Sequence, residues 1–231
     1  MTSMDRRAVL ALAAAAPLAA AGSATAAPAP AAPAGPFQPK PLGINPAGVP
    51  GLSAQIINSH YDNNYLGAVR RLNAIEASLA GLDPAQAPVF TINGLKREEL
   101  VAWNSMILHE LYFAGLGAGK PSPTGGLAQA LERDFGSHAK WAAEFSSTAK
   151  ALGGGSGWVL LTWSARDRKL VNQWAGDHSQ TLAGSTPILA LDMYEHAYHM
   201  DYGARAAAYV DAHMKAFDWR NAEAMYARLS A

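Results

Sequence analysis

A chain of 231 residues with 18 basic and 18 acidic side chains has no formal net charge, and no basic cluster marks it for nucleic acid. It contains no cysteine, which excludes disulfides, thiolate ligands and a lipidated N-terminal cysteine. Any bound metal must be held by nitrogen and oxygen donors, a set that suits iron, manganese or zinc.

Residues 1–26 read as an export signal. Arg6-Arg7 precede an alanine-rich apolar run, Ala8 to Ala21, and Ala24-Thr25-Ala26 supplies a small-x-small cleavage site. The adjacent arginines and the modest hydrophobicity favour the twin-arginine route. The run is shorter than the roughly 20 residues of a membrane span, and Pro17 interrupts it. The expected mature form is therefore exported, periplasmic or secreted, without a membrane segment. Residues 27–50 hold eight of the fourteen prolines and are expected to be extended and poorly packed, a tether.

From Ser53 the pattern turns helical. Ile56, Ile57, His60, Tyr61, Asn64, Tyr65, Ala68, Val69, Leu72, Ile75 and Leu79 recur at three- and four-residue spacing. Ser53 suits the N-cap, and Gly81 with Asp83-Pro84 ends the helix. A second helix is predicted from about Leu95 to Leu116. Together they make an antiparallel hairpin, residues 51–118. The Gly/Pro-rich stretch 115–126 marks the boundary to a C-terminal lobe, 119–231. There, helices are predicted over about 127–135 and 138–152. Trp158–Trp163 and Lys169–Trp174 form a strand hairpin, and the apolar run Ile188–Leu191 adds a third strand. Helices at about 204–216 and 219–229 close an α+β chain with a three-stranded antiparallel sheet.

Asp192 stands where the third strand stops, and His196 follows four residues on. Two readings fit this pair. Asp192 caps the next turn, with His196 an ordinary partly buried histidine; or carboxylate and imidazole face one point and share a cation. Of the seven histidines, His138 and His213 are expected at the surface. His60 and His109 lie within the apolar faces of the two long helices, so antiparallel pairing can bring them level. Packed core histidines and a ligand pair both satisfy that spacing. Three imidazoles and one carboxylate around an ion would leave a position open for water or a small substrate.

The string Asp192-Met-Tyr-Glu-His-Ala-Tyr198 resembles the Asp-x-Trp-Glu-His-Ala-Tyr signature of iron/manganese superoxide dismutases, with Tyr194 in place of the Trp. Ser59-His60-Tyr61 followed by Asn73 is similar to the family's first helix. His109-Glu-Leu-Tyr112-Phe113 is similar to its His-x-x-Tyr-Trp segment, and Gly155-Ser-Gly-Trp158 to its strand entry. The resemblance covers the whole mature domain. It implies a homodimer that converts superoxide to dioxygen and hydrogen peroxide, with one iron or manganese ion per subunit cycling between +3 and +2. It implies His60, His109, Asp192 and His196 as ligands, and His178 as the outer hydrogen-bond partner, with the small Ser105 opposite. It also implies that Glu195 crosses the dimer interface to the partner's counterpart of His196, and that Trp158, Tyr112, Phe113 and Tyr194 wall the site.

The sequence departs from the family at three outer positions. Ala68 stands where the gateway Tyr is usual, Asn64 where a His is usual, and His199 where a Tyr is usual. Asn64, Tyr65 and His199 are candidates for a substitute proton relay. These departures keep a second reading open, a metal-binding protein of the same fold with weak or different redox activity. A hydrolytic zinc site is not favoured, because no His-Glu-x-x-His helix is present.

Overall fold

The sheet is built around its most apolar strand. β1 (Trp158–Ser164) is buried along its whole length and lies between β2 (Lys169–Ala175) and β3 (Ser185–Asp192), antiparallel to both. The computed structural model describes residues 35–118, 120 and 122–231. The export signal, and the 27–34 part of the tract behind it, lie outside the described residues. β3 begins earlier than the apolar run alone indicates and takes in Pro187. An edge strand tolerates a residue without an N–H, and the register shifts between Leu161 and Thr162 where Pro187 pairs. The register sets Trp158 opposite Asp192, so the sheet fixes one metal candidate against one wall residue.

The first long helix is not one regular piece. α1 (Ala54–Ser59) starts as expected, with Ser53 Oγ accepting from the Ile56 amide at 3.1 Å. The chain then makes a π-helical turn, His60–Tyr65, before α2 (Leu66–Ala80). The Leu66 amide bonds the Tyr61 carbonyl, five residues back. A turn closed five residues on sets residues five apart on one side, so His60 and Tyr65 are both buried. α3 (Val89–Ala114) begins six residues before the predicted start at Leu95. The helix runs straight through Gly94, whose missing side chain lowers helix propensity without breaking the hydrogen-bond ladder.

Residues 35–50 are not a loose tether. The Phe37 amide donates to Asn73 Oδ1 at 3.0 Å, and Asn73 Nδ2 donates to the Phe37 carbonyl at 2.9 Å. The Lys40 amide donates to Tyr65 Oη, and Tyr61 Oη donates to the Lys40 carbonyl, each at 2.7 Å. Val49 is buried. Prolines keep this strap extended, and hairpin side chains satisfy its backbone.

Beyond the hairpin come α4 (Gly125–Phe135) and α5 (His138–Ala151) before the sheet. After it come a short 3-10 turn at Glu195–Ala197, then α6 (His199–Tyr202), α7 (Ala206–His213) and α8 (Arg220–Leu229). A bridge between Leu116 and Phe217 ties the end of α3 to the segment after α7, and one apolar core runs from Val49 to Tyr226. Two histidines expected at the surface are elsewhere. His213 is fully buried, stacked on Tyr112 with ring centroids 5.1 Å apart. His138 is partly buried against Trp141 and Trp219. Trp219 over His138 and Tyr112 over His213 come from other elements, which flanking polar residues do not reveal. Among the described residues no helix is long and apolar enough to cross a membrane.

Candidate metal centre

Four elements each deliver one donor to the same point. His60 comes from the π-helical turn, His109 from α3, Asp192 from the last position of β3, and His196 from the 3-10 turn. One ligand atom from each lies within 4.8 Å of all the others. Asp192 Oδ2 is 3.1 Å from His60 Nε2, 3.2 Å from His196 Nε2 and 3.7 Å from His109 Nε2. His60, His109 and Asp192 are buried, and His196 is partly exposed. Asp192 serves both readings at once. Its Oδ1 accepts from the Tyr194 amide at 2.8 Å, as a cap does, while Oδ2 faces the imidazoles.

The surroundings choose the protonation states. His109 Nδ1 donates to the Ser105 carbonyl at 2.6 Å, which leaves the lone pair on Nε2. That Nε2 is buried and has no hydrogen-bond partner, an orphan that a cation would satisfy. Burial takes the His109 imidazole down to about 3, with the neighbouring His60 adding to the effect. Burial also lowers His60, against the hydrogen bond and charge of Asp192. The Asp192 carboxyl is pushed up by burial, but His196 and His60 more than reverse this and hold it below the usual carboxylate range. A metal held here would meet three imidazole nitrogens and one carboxylate oxygen. Such a donor set fits iron or manganese.

Aromatic rings close around these donors. Tyr112 and Phe113 lie 4.8 and 5.2 Å from the His60 ring, Trp158 lies 5.2 Å from His109, and Tyr194 lies 5.4 Å from His196. Tyr209 Oη donates to the Asp192 carbonyl at 2.8 Å and fixes the strand end. His178 comes in from the loop before β3. Trp158 Nε1 donates to its Nδ1 at 2.9 Å, Asn104 Nδ2 donates to its carbonyl at 2.6 Å, and its ring stacks on Tyr194 at 4.7 Å. With Nδ1 accepting, a neutral His178 carries its proton on Nε2. Burial lowers its pKa and favours that neutral form.

Residues 123–225 match the model of the C-terminal domain of iron/manganese superoxide dismutases. A "Superoxide dismutase [Fe]" of Cupriavidus metallidurans is 66% identical over 191 residues, covering 83% of this chain and 96% of that protein. A "Superoxide dismutase [Mn] 2" of Haloferax volcanii is 36% identical over 180 residues, covering 77% and 88%. A "Superoxide dismutase [Fe]" of Aquifex aeolicus is 32% identical over 183 residues, covering 76% and 84%. The chain belongs to the iron/manganese superoxide dismutase family. Within it, the structure brings together all four donors and the aromatic wall expected from the sequence.

The outer candidates of this family member are more scattered. Asn64 lines a cavity of about 270 Å³ together with Ala68, Ser105 and His178. Tyr65 faces the other way, its hydroxyl donating to Glu110 Oε1 at 3.1 Å and accepting from the strap. His199 and Glu195 are exposed. No side-chain hydrogen bond joins Asn64, Tyr65 and His199 among the described residues, so within one chain they form no relay. Sequence reasoning missed Tyr209, the Ser105 carbonyl and Glu110. Tyr209 and Glu110 act across long sequence separations, and a backbone carbonyl leaves no residue signature.

Proposed function

We propose that this chain is a metal-dependent superoxide dismutase, converting two superoxide anions and two protons to dioxygen and hydrogen peroxide. The observation that carries it is the convergence of His60, His109, Asp192 and His196, with three imidazole nitrogens presented to one carboxylate oxygen. These four residues would hold one iron or manganese ion. When bound, that ion supplies a one-electron couple between the +3 and +2 states. Iron is favoured, because the 66%-identical relative carries iron in its name.

The chain's residues prepare the rest. Asp192 supplies one negative charge, and the neutral imidazoles add none, so the net charge of the site stays low in both states. The Ser105 carbonyl fixes the His109 tautomer, and the aromatic wall excludes bulk water. His178, held by Trp158 and stacked on Tyr194, keeps a proton at Nε2 beside the site. Outer hydrogen-bond partners of this kind tune the potential and the acidity of solvent at a metal. Metal-loaded protein is expected to remove superoxide and to lose that activity when the ion is chelated out. Activity that survives complete metal removal would sink the reading. The competing reading, tight metal binding with feeble turnover, is favoured by Ala68 in the cavity wall; a rate close to that of other family members would dispose of it.

Two finer points belong to the same proposal. The protein is exported by the twin-arginine route, supported by Arg6-Arg7, the apolar run and the Ala24-Thr25-Ala26 site. Export that persists after both arginines are changed to lysine argues against that route. It also forms a homodimer in which Glu195 reaches the partner's counterpart of His196. The exposure of Glu195 beside a partly exposed ligand supports this; sedimentation of a single chain mass at micromolar concentration contradicts it.

A further inference from the structure

A second cavity lies under the proline-rich strap. Its volume is about 430 Å³, and it is bounded by strap residues 40–44, the π-helical turn, the end of α3 and the first turn of α8. That size suits a small molecule. It shares no lining residue with the cavity beside His178. Its floor backs onto the metal centre: Phe113 lies 5.2 Å from the His60 ring, and Tyr61 packs on Phe113 at 5.7 Å. Tyr61, Tyr65 and Phe113 meet at interplanar angles of 48°, 64° and 69°, so no two of them form a parallel-walled slot for a flat ring. Leu42 and Ile44 of the strap, with Leu116, complete an irregular apolar wall. Such a wall suits a chain that can bend.

Two ion pairs line the same cavity, Lys40 with Glu110 and Arg220 with Asp218. Each carboxylate oxygen already accepts a hydrogen bond. Glu110 Oε1 accepts from Tyr65 at 3.1 Å and Oε2 from Lys40, while both oxygens of Asp218 accept from Arg220. The phenol hydroxyls are engaged too, Tyr61 Oη donating to the Lys40 carbonyl and Tyr65 Oη to Glu110. The cations have N–H groups left over. Lys40 Nζ directs one of its three at Glu110, and Asp218 takes Nε and Nη2 of Arg220 but leaves Nη1. The Lys40 and Arg220 side chains are 71% and 80% exposed, against 16% and 11% for the carboxylates. Spare donors therefore stand at the mouth, and the acceptors behind them are taken.

We propose that this cavity binds a carboxylate on a flexible apolar chain, of the medium-chain fatty-acid class. The chain lies against Phe113 and the strap, where burial of its methylenes drives binding. The carboxylate takes charge-assisted hydrogen bonds from Lys40 and Arg220. The site does not depend on the reaction at the metal.

The test titrates the full-length, metal-loaded protein with sodium octanoate, 1-octanol and octylammonium chloride by calorimetry. One octanoate per chain is expected, with octylammonium at least about tenfold weaker. Lys40→Gln and Arg220→Gln each weaken octanoate about tenfold and bring it closer to octanol. Ala114, exposed at the end of α3, lines the cavity, so Ala114→Trp fills it without removing a core contact and abolishes binding. Thermal melting checks that each variant is folded. Crystals of the wild type soaked in 8-bromooctanoate give the location directly, whatever the variants do. An anomalous bromine peak is expected between Phe113 and Ile44. Octylammonium binding as tightly as octanoate overturns the proposal, as does no octanoate binding at millimolar concentration, undiminished binding by folded Ala114→Trp, or bromine found only elsewhere.

Discussion

His60, His109 and Asp192 are buried almost completely, whereas Asn64, Arg71 and His178 line the open cavity beside them. Each inner donor is over-determined. His109 is tied to a carbonyl of its own helix, Asp192 to the Tyr194 amide and Tyr209, and His60 to the π-helical turn. The outer residues are partly exposed or exposed, Arg71 paired with Glu98 and His178 held by Trp158, Asn104 and Tyr194. Removing one member of a buried charge-compensated group leaves its partners unpaired, a cost of roughly 3–5 kcal/mol. Changing a partly exposed residue on the cavity wall costs far less. That difference explains why the donor set follows the family pattern while Asn64 and Ala68 depart from it.

The comparison breaks most visibly at its centre. Asp192→Ala removes the only carboxylate among the four donors, and is expected to reduce bound metal and activity to background, read by elemental analysis and a superoxide assay. A smaller loss is expected at the border of the two regions. His178→Ala leaves all four donors and should lower activity or metal affinity about 10- to 100-fold, the range for outer partners of metal ligands. Full activity in that variant would place His178 with the ordinary loop residues.

Acid sharpens the contrast in another way. Burial holds His109 and His213 down to about 3, against an ordinary imidazole value of 6.5. Between those values the unfolded chain takes up protons that the folded chain refuses. The metal-free protein is therefore most stable above about pH 6.5, and it loses stability as the pH falls from there toward 3. Both ring nitrogens of His213 are buried and unpartnered. His213→Phe keeps a flat ring against Tyr112 and should make the pH slope of unfolding shallower by about 1.4 kcal/mol per pH unit in that window. Denaturant titrations at pH 7, 6 and 5 measure it, and an unchanged slope contradicts the assignment. The smallest effect is expected at Tyr209→Phe, which removes one buried hydrogen bond to the Asp192 carbonyl and should cost about 1 kcal/mol with metal still bound. Thermal melting of the loaded protein reads this change.

Much of the donor set was legible before any coordinates. The Asp192–Tyr198 string placed two ligands, and the apolar faces around His60 and His109 put two more imidazoles on helices that pack together. Periodicity also marked the helical hairpin and the order of the three strands, because a buried face repeats with the geometry of its own element. Local chemistry settled the Ser53 cap for the same reason: donor and acceptor lie three residues apart.

What only the tertiary structure decided depends on partners far away in the chain. The π-helical turn at His60–Tyr65 leaves the apolar pattern almost unchanged, yet it turns Tyr65 toward Glu110 and away from Asn64. The proline-rich strap is pinned by Asn73, Tyr61 and Tyr65, none of which its own composition announces. His213 is buried because Tyr112 and Phe217 cover it, and Arg71, Ser105 and His178, far apart in the chain, meet around one cavity. Spacing along a chain reports which side of an element faces inward; what waits on that side is fixed only when distant elements pack against it.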